Sequence, residues 1–248
     1  MQKRTMLSWS SGKDSAWTLH VLRQDPAIEL AGLFTVINEK YDRASMHATR
    51  LALLRLQAEA AGLPLTIIAL PDPCSMEQCN EVMGRFVAES AAGGIACMAF
   101  GDLFLEDIRE YRVRQLAGTG VEPLFPLWCA AADTALLARR MLDAGLHAAL
   151  TCVDPRQLPE PFVGRQYDAA LLADLPSGVD PCGERGEFHT FCFGGPMFAF
   201  EIPVEVGDIV SRAGFWFADV VPRSLVHSLE GREGREGREG ITLAPPPP

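Results

Sequence analysis

The sequence predicts an α/β fold: a doubly wound, mostly parallel sheet with a small C-terminal α+β lobe. Two observations predict it. Short apolar runs alternate with longer amphipathic stretches over residues 1–155, which is the pattern of βαβ units. Most of these runs are apolar on both faces, as in parallel strands that helices cover on both sides. Right-handed crossovers between such strands give an open, doubly wound sheet.

The individual elements follow from the same pattern. Six apolar runs are predicted to be strands: residues 5–9, 28–37, 65–70, 96–101, 123–128 and 148–153. Five stretches with helical periodicity lie between them: residues 14–24, 45–61, 75–92, 104–117 and 132–144. Glycine and proline on both sides of residues 65–70 end the neighbouring helices there.

The alternation stops after Val153, where prolines divide the chain into short pieces. Three later runs predict antiparallel hairpins, with a turn at residues 194–196: residues 188–193, 197–206 and 215–221. The tail repeats Gly-Arg-Glu and ends in four prolines, a composition that predicts disorder. We therefore expect three parts: a first domain over 1–155, a second lobe over 156–225 and a disordered tail over 226–248.

Composition excludes several classes of protein. The 248 residues are 48% hydrophobic, enough for a sizeable core, and the net charge of −10 disfavours a nucleic acid as partner. No apolar run reaches the ~18 residues that cross a bilayer, so we expect no membrane partner and a cytoplasmic protein. The seven cysteines predict reduced thiols, and neither Cys74/Cys79 nor Cys182/His189/Cys192 has the close paired spacing of a zinc site.

The most informative segment follows the first predicted strand and reads Ser8-Trp9-Ser10-Ser11-Gly12-Lys13-Asp14-Ser15. Small residues let consecutive backbone N–H groups close around a phosphate, and the N-terminus of the next helix adds partial positive charge. The serines add hydroxyl donors, and Lys13 adds a full charge. Asp14 either caps the helix or holds Mg²⁺ against phosphates. The alternative for the whole segment is a serine- and glycine-rich turn with a helix cap.

Two better-known nucleotide loops are excluded by counting residues. A Walker P-loop needs Gly-x4-Gly-Lys-[Ser/Thr], but Gly12-Lys13 is followed by Asp14, and Leu7 stands at the first glycine position. The Gly-x-Gly-x-x-Gly fingerprint of dinucleotide-binding folds is absent as well.

A second cluster of polar residues lies in residues 178–190, where Asp180, Glu184, Glu187 and His189 fall close together on a glycine-rich segment. Side chains 187 and 189 lie on the same face if the segment enters a strand. A carboxylate beside an imidazole could deprotonate or steer an incoming amine. The alternative is a hairpin with solvated acids.

These motifs resemble those of a known family. Residues 10–15 resemble the Ser-Gly-Gly-x-Asp-Ser pyrophosphate loop of the ATP pyrophosphatases, with Ser11 where the second-position glycine usually stands. Residues 183–190 and the following Gly195-Pro196 are similar to the Gly-Glu-x-Gly-Glu-Phe-x-Thr…Gly-Pro signature of the diphthine–ammonia ligase family within that group. Further matches occur in order along residues 5–222: Met46-His47, Gln57-Ala58, residues 62–65, Gly101-Asp102 and residues 121–128.

The resemblance implies a Rossmann-like adenine nucleotide alpha hydrolase fold, with an ATP-binding domain over 1–155 and a substrate lobe over 156–225. It implies an amide-forming ligase that adenylates a substrate carboxylate with Mg²⁺-ATP, releases pyrophosphate and transfers the acyl group to ammonia. The implied nucleotide-binding residues are Ser10, Ser11, Gly12, Lys13, Asp14, Ser15, Val36, Gly101 and Asp102. The implied catalytic residues are Lys13, Asp14, Glu184, Glu187 and His189, and Asp14 is the metal ligand.

Two departures from the family pattern leave the acceptor open. The segment after Asp102 lacks the Tyr-Gln-Arg-x-Arg sequence of the eukaryotic and archaeal ligases, and His189 stands where those proteins usually carry Glu. A tRNA-modifying ATP pyrophosphatase and a non-catalytic ATP-binding module stay as alternatives, and a homodimer stays open. Arginines 109, 112, 114, 139 and 140 form either an anionic acceptor site or, as long charged side chains favour, solvated helix faces.

Overall fold

A computed structural model describes residues 1–38, 43–44 and 49–223. The predicted tail at 226–248 and the Met46-His47 landmark lie outside these residues. The strands are β1 (Lys3–Ser8), β2 (Ile28–Asn38), β3 (Arg43–Ala44), β4 (Leu65–Leu70), β5 (Cys97–Ala99), β6 (Glu122–Leu124), β7 (His147–Val153), β8 (Phe188–Gly194), β9 (Val204–Arg212) and β10 (Phe215–Pro222). The helices are α1 (Lys13–Gln24), α2 (Leu51–Ala61), α3 (Met76–Ala92), α4 (Glu106–Leu116), α5 (Thr134–Asp143) and α6 (Ala169–Asp174).

The first sheet confirms the predicted doubly wound α/β fold. Its parallel strands pair in the order β4-β2-β1-β5-β6, and the short β3 adds an antiparallel pair to the end of β2. The chain builds outward from β1 through β2 to β4, and then continues on the other side of β1 with β5 and β6. The connections after β1 and β5 therefore diverge. In open α/β sheets, such a switch point at the carboxyl ends of the strands forms the ligand crevice.

The second lobe is an antiparallel sheet in the order β8-β7-β10-β9. Here the prediction for residues 148–153 as a sixth strand of the first sheet is wrong, because β7 pairs with β8 and β10. An apolar run that is buried on both faces does not indicate which sheet covers it. The division into domains at residue 155 stays a prediction. The β7 strand lies before this boundary, and its partners β8 and β10 lie after it.

The predicted hairpin of residues 188–193 with 197–206 is also wrong. The β8 strand pairs with β7, residues 195–203 form no strand, and β9 pairs with β10 instead. Pro196 and Pro203 lack the backbone N–H that a strand ladder needs, which explains the irregular segment between them.

The two sheets share one apolar core. Leu7 and Leu33 of the first sheet belong to the same buried cluster as Leu150 and Phe188 of the second. Because the two sheets bury their side chains against each other, the loops between them are held on a common scaffold.

The cysteines differ from the prediction at one pair, since Cys74 and Cys79 form a disulfide while the other five are free thiols. Within the described ranges, no group of three or more histidine, cysteine, aspartate or glutamate residues could hold a metal ion. No helix there is both long and apolar enough to cross a membrane.

Candidate functional site

Two adjoining cavities open at the carboxyl ends of β1, β2 and β5. The polar cavity has a volume of about 240 Å³ and the apolar cavity about 590 Å³. The residues that line both include Ser10, Phe100, Asp102, Arg112, Glu184 and His189. The two cavities therefore meet at a junction lined mainly by polar side chains.

The loop between β1 and α1 turns through Ser11, which adopts a φ of 72° and is fully buried. This is the left-handed region in which glycine is favoured, and it explains why the resembling motif has glycine at this position. The Ser11 hydroxyl lies 2.7 Å from the hydroxyl of Thr49. Neither Ser11 nor Gly12 lines the cavities, in contrast to Ser10, Asp14 and Ser15.

We expect Ser11→Ala to destabilise the protein more than Ser11→Gly does. Alanine keeps the left-handed strain and leaves the Thr49 hydroxyl without its partner, whereas glycine relieves about 1 kcal/mol of strain while losing a hydrogen bond of about 1 kcal/mol. Urea denaturation of the two variants measures the difference. Equal losses of stability would contradict the strain at this position.

Gln57 holds the loop in place, and sequence reasoning gave this side chain no role beyond a family landmark. Its buried carboxamide accepts from the Trp9 indole N–H (2.8 Å) and donates to the Ser11 carbonyl (2.9 Å) and the Cys192 carbonyl (2.6 Å). The sequence signal was a glutamine in an otherwise mostly apolar helix. Its amide joins α2, the β1–α1 loop and β8, so the loop enters the site with a fixed backbone.

The first turn of α1 offers backbone donors to the polar cavity. Lys13 N–H donates to the Thr190 hydroxyl at 3.0 Å. No hydrogen bond within the described part of the chain uses the N–H groups of Asp14 and Ser15, and the N-cap residue of the helix, Gly12, provides no side-chain cap. Unpaired N–H groups at a helix N-terminus attract anions, and a phosphate is the usual ligand.

Gly101, at the end of β5, lies directly against this turn. A Cβ atom there would be 3.1 Å from the Asp14 carbonyl carbon and 3.1 Å from the Ser15 nitrogen. The turn after β5 therefore approaches α1 so closely that a side chain at this position would require neighbouring atoms to move by a few tenths of an ångström.

We expect Gly101→Ala to lower the free energy of unfolding by about 1–3 kcal/mol, because backbone atoms must move to admit the methyl group. Gly84→Ala is the matched control: a Cβ at Gly84 meets nothing within 4 Å, and alanine favours the α3 helix in which it lies. Chemical denaturation compares the two variants. A Gly101→Ala protein as stable as Gly84→Ala would contradict the close approach.

Lys13 is 1% exposed, and its ammonium group connects the loop to the second lobe. It donates to both carboxylate oxygens of Asp14, at 3.0 and 2.8 Å, and to the Cys182 carbonyl. The rings of Tyr167 and Phe188 each lie 5.5 Å from it, a distance at which aromatic faces attract cations. Lys13 therefore holds Asp14 at the wall of the polar cavity.

The acidic residues of the loop at 180–187 differ in where their side chains lie: some are bound within the loop and one lines the cavities. Glu187 is fully buried, and its carboxylate accepts from the backbone N–H groups of Asp180 and Arg185, each at 2.9 Å. It lines neither cavity. Asp180 in turn accepts from the Glu184 N–H at 2.9 Å. Glu187 thus shapes the loop, while Glu184 and His189 line both cavities.

Burial shifts the pKa of two residues at the junction, Glu184 and His189. It raises the pKa of Glu184 to about 7; the Leu103 N–H, which donates to this carboxylate at 2.8 Å, opposes the rise, and the negative charge of Asp14 adds to it. Burial, together with a smaller effect of the Lys13 ammonium, lowers the pKa of His189 to about 4. Near neutral pH the junction therefore has a carboxyl group in mid-titration beside a neutral imidazole.

Asp102 and Arg112 face each other across the junction. Arg112 Nε lies 3.6 Å from Asp102 Oδ2, and both atoms are buried without a hydrogen bond in the described part of the chain. Burial raises the pKa of Asp102, although the Arg112 charge opposes the rise. The sequence grouped Arg112 with four other arginines and could not indicate that this one lines the crevice.

The apolar cavity is lined mainly by nonpolar side chains. Phe34 and Val36 at the end of β2, Met98 on β5 and Met83 on α3 form parts of its walls. Val36, which the family resemblance implies as a nucleotide-binding residue, therefore lies in the wall of the apolar cavity.

Comparisons with known proteins find related sequences along most of the chain. Residues 3–114 match the family model described as the diphthamide synthase N-terminal domain, and residues 133–222 match the diphthamide synthase C-terminal domain. A diphthine–ammonia ligase of Danio rerio is 30% identical over an alignment 184 residues long, and this alignment covers 66% of this chain and 70% of that protein.

Proposed function

The chain belongs to the diphthine–ammonia ligase-like family, and from this we propose that it is an ATP-dependent ligase that converts a substrate carboxylate into an amide with ammonia. One observation carries the proposal: the donors at the start of α1 open on a polar cavity that continues into an apolar one, with Glu184 and His189 at the junction.

The crevice supports a definite orientation for ATP. In this proposal the phosphates bind at the N–H groups of Asp14 and Ser15 and at the hydroxyls of Ser10 and Ser15, where the helix N-terminus favours negative charge. The adenine lies in the apolar cavity against Phe34 and Val36. The α-phosphate then lies near the junction between the cavities.

Magnesium fits this arrangement through Asp14. The Asp14 side chain is 25% exposed and lines the polar cavity, and Mg²⁺ in nucleotide sites is commonly held by one or two carboxylates together with phosphate oxygens and water. When bound, the ion would neutralise charge on the departing pyrophosphate. Lys13 holds the Asp14 carboxylate in position for this.

The reaction has two steps. An oxygen of the substrate carboxylate bonds to the α-phosphorus, and the bond from this phosphorus to the bridging oxygen of the β-phosphate breaks, releasing pyrophosphate. Ammonia then attacks the acyl carbon, AMP leaves with the electron pair of the acyl–oxygen bond, and the nitrogen releases one proton to water as the neutral amide forms. Holding both reactants in one crevice replaces a bimolecular encounter, and the helix N-terminus stabilises the charge that develops on the pyrophosphate.

Glu184 is the proposed base for the nitrogen. Ammonium must lose a proton before it can attack, and a carboxylate whose pKa is about 7 accepts that proton near neutral pH. The neutral His189 beside it is a second polar group that can orient the nitrogen through a hydrogen bond. Glu187 acts indirectly in this proposal, by shaping the loop that presents Glu184.

ATP–pyrophosphate exchange tests the proposal. The purified protein is incubated with Mg²⁺, ATP, labelled pyrophosphate and fractions of an extract of its source organism. We expect at least one fraction to stimulate exchange, and a macromolecular or a small-molecule fraction then identifies the class of acceptor. Tight ATP binding with no exchange from any fraction would overturn the ligase in favour of a binding module.

A further inference from the structure

Arg112 and Asp102 lie opposite each other at the junction, and ATP in the proposed position does not provide hydrogen-bonding groups for them. We propose that this pair is the acceptor site: the Arg112 guanidinium holds the carboxyl group that becomes the amide, and Asp102 accepts hydrogen bonds from the incoming nitrogen. The inference rests on the proposed function and identifies the residues that recognise the second and third substrates.

The chemistry of the unsatisfied atoms points to this ligand. Arg112 Nε carries a hydrogen to donate, Asp102 Oδ2 is an acceptor, and the two atoms are 3.6 Å apart, buried, and without hydrogen bonds in the described part of the chain. Buried polar atoms normally have partners. A carboxamide supplies both at once, because its oxygen accepts and its NH₂ group donates. The two residues together therefore fit the amide product. Arg112 alone fits the carboxyl group, and Asp102 alone fits the incoming nitrogen.

The local charge favours a carboxylate over a further phosphate. The polar cavity is lined by three carboxylates, those of Asp14, Asp102 and Glu184, and by two cationic side chains, of which Lys13 is hydrogen-bonded to Asp14. A phosphate at Arg112 would bring two negative charges next to Asp102, whereas a carboxylate brings one. The guanidinium carbon lies 4.9 Å from the Phe100 ring centre, and this contact restrains the plane in which the guanidinium donates.

The other arginines of α4 are arranged differently. The Arg109 guanidinium carbon lies 4.7 Å from a ring centre of Trp128, and Arg114 pairs with Glu110 at 3.2 Å on the surface. Neither lines the two cavities. Arg114 therefore provides a matched control on the same helix.

Acetate and acetamide are the probes for this site, and the observable is the Nε–H resonance of Arg112 in proton–nitrogen spectra of the full-length wild-type protein. The resonance is assigned by its absence from Arg112→Lys. We expect acetate and acetamide to shift it in a saturable way, while sodium chloride at equal ionic strength does not. No shift with either probe, or the same shift with chloride, would overturn the proposal.

Substitutions on the same helix test the strength of the contact. We expect Arg112→Gln to weaken acetate binding by about 10- to 100-fold, the usual effect of losing a hydrogen bond to a charged group, and Arg114→Gln to leave it within about twofold. Asp102→Asn should weaken acetamide binding more than acetate binding. Equal effects of Arg112→Gln and Arg114→Gln would contradict a specific contact.

A parallel measurement of binding by a non-hydrolysable ATP analogue separates this inference from the proposed function. Acetate binding at Arg112 without binding of the analogue would refute the ATP site and leave the carboxyl site intact. Binding of the analogue without a response at Arg112 would refute the acceptor site alone.

Discussion

Asp14→Asn is expected to reduce AMP formation by at least about a hundredfold, because losing one preorganised electrostatic contact to the reacting group usually costs a factor of ~10²–10³. Asparagine has almost the same shape and retains an oxygen for the Lys13 ammonium, so the fold should persist. AMP release and pyrophosphate exchange measure the loss.

The control for this variant is Asp208→Asn, an equal change of charge at an exposed position of β9. It should leave AMP formation unchanged. If Asp14→Asn formed AMP as fast as Asp208→Asn, the start of α1 would not be the nucleotide site.

Glu184→Gln is expected to separate the two steps of the reaction. Glutamine cannot accept a proton from ammonium, so amide formation should fall by a factor of ~10²–10⁴. Pyrophosphate exchange depends on adenylation alone and should stay within about threefold of the wild type if the loss is confined to proton transfer. Both steps are measured with the acceptor fraction found by the exchange assay. Pyrophosphate exchange reports adenylation, and incorporation of ¹⁵N from ammonium reports amide formation.

The role of Glu184 as the base also predicts how the rate of amide formation changes with pH. The Glu184 carboxyl must be ionised to accept a proton, and burial raises its pKa to about 7. Wild-type amide formation should therefore decrease as the pH falls through about 7 and level off above it. The residual activity of Glu184→Gln should lack this step. A wild-type profile that is flat between about pH 6 and 8 would exclude Glu184 as the base.

The same pKa predicts an effect on stability that needs no substrate. Because the folded pKa of Glu184 lies above its ordinary value, its protonated form stabilises the fold at low pH, and this contribution is lost as the pH rises through about 7. Glutamine stays neutral at every pH. The melting temperature of Glu184→Gln relative to wild type should therefore be higher at about pH 8 than at about pH 5.

The fold was predictable where the chain repeats one local pattern. Apolar runs separated by amphipathic helices place β1, β2, β4, β5 and β6 in the observed parallel sheet, and the position of the polar loop after β1 follows from the same alternation. The strand at His147–Val153 has the same apolar character but lies in the second sheet. Its partners are distant in sequence, so local periodicity could not identify them.

The candidate site was predictable as a set of segments but less so as a set of contacts. Ser10, Asp14, Glu184 and His189 line the crevice, and all four come from the two motifs that the sequence singled out. Glu187 comes from the same motif and is turned into its own loop by two backbone N–H groups. A motif specifies which residues are near each other, but the hydrogen bonds decide which of them reach the cavity.

The sequence by itself determined the parallel sheet, the polar loop at its switch point and the family, because these depend on residue types at short and regular spacings. The tertiary structure alone decided which polar groups meet: Lys13 with the Cys182 carbonyl, Ser11 with Thr49, and Asp102 with Arg112 at the junction of two cavities. Burial and hydrogen-bond partners set the pKa of Glu184, and packing places Arg112 Nε opposite Asp102 Oδ2 without a hydrogen bond in the described part of the chain. Both depend on contacts that long-range packing creates, so they emerge only when the two lobes fold against each other.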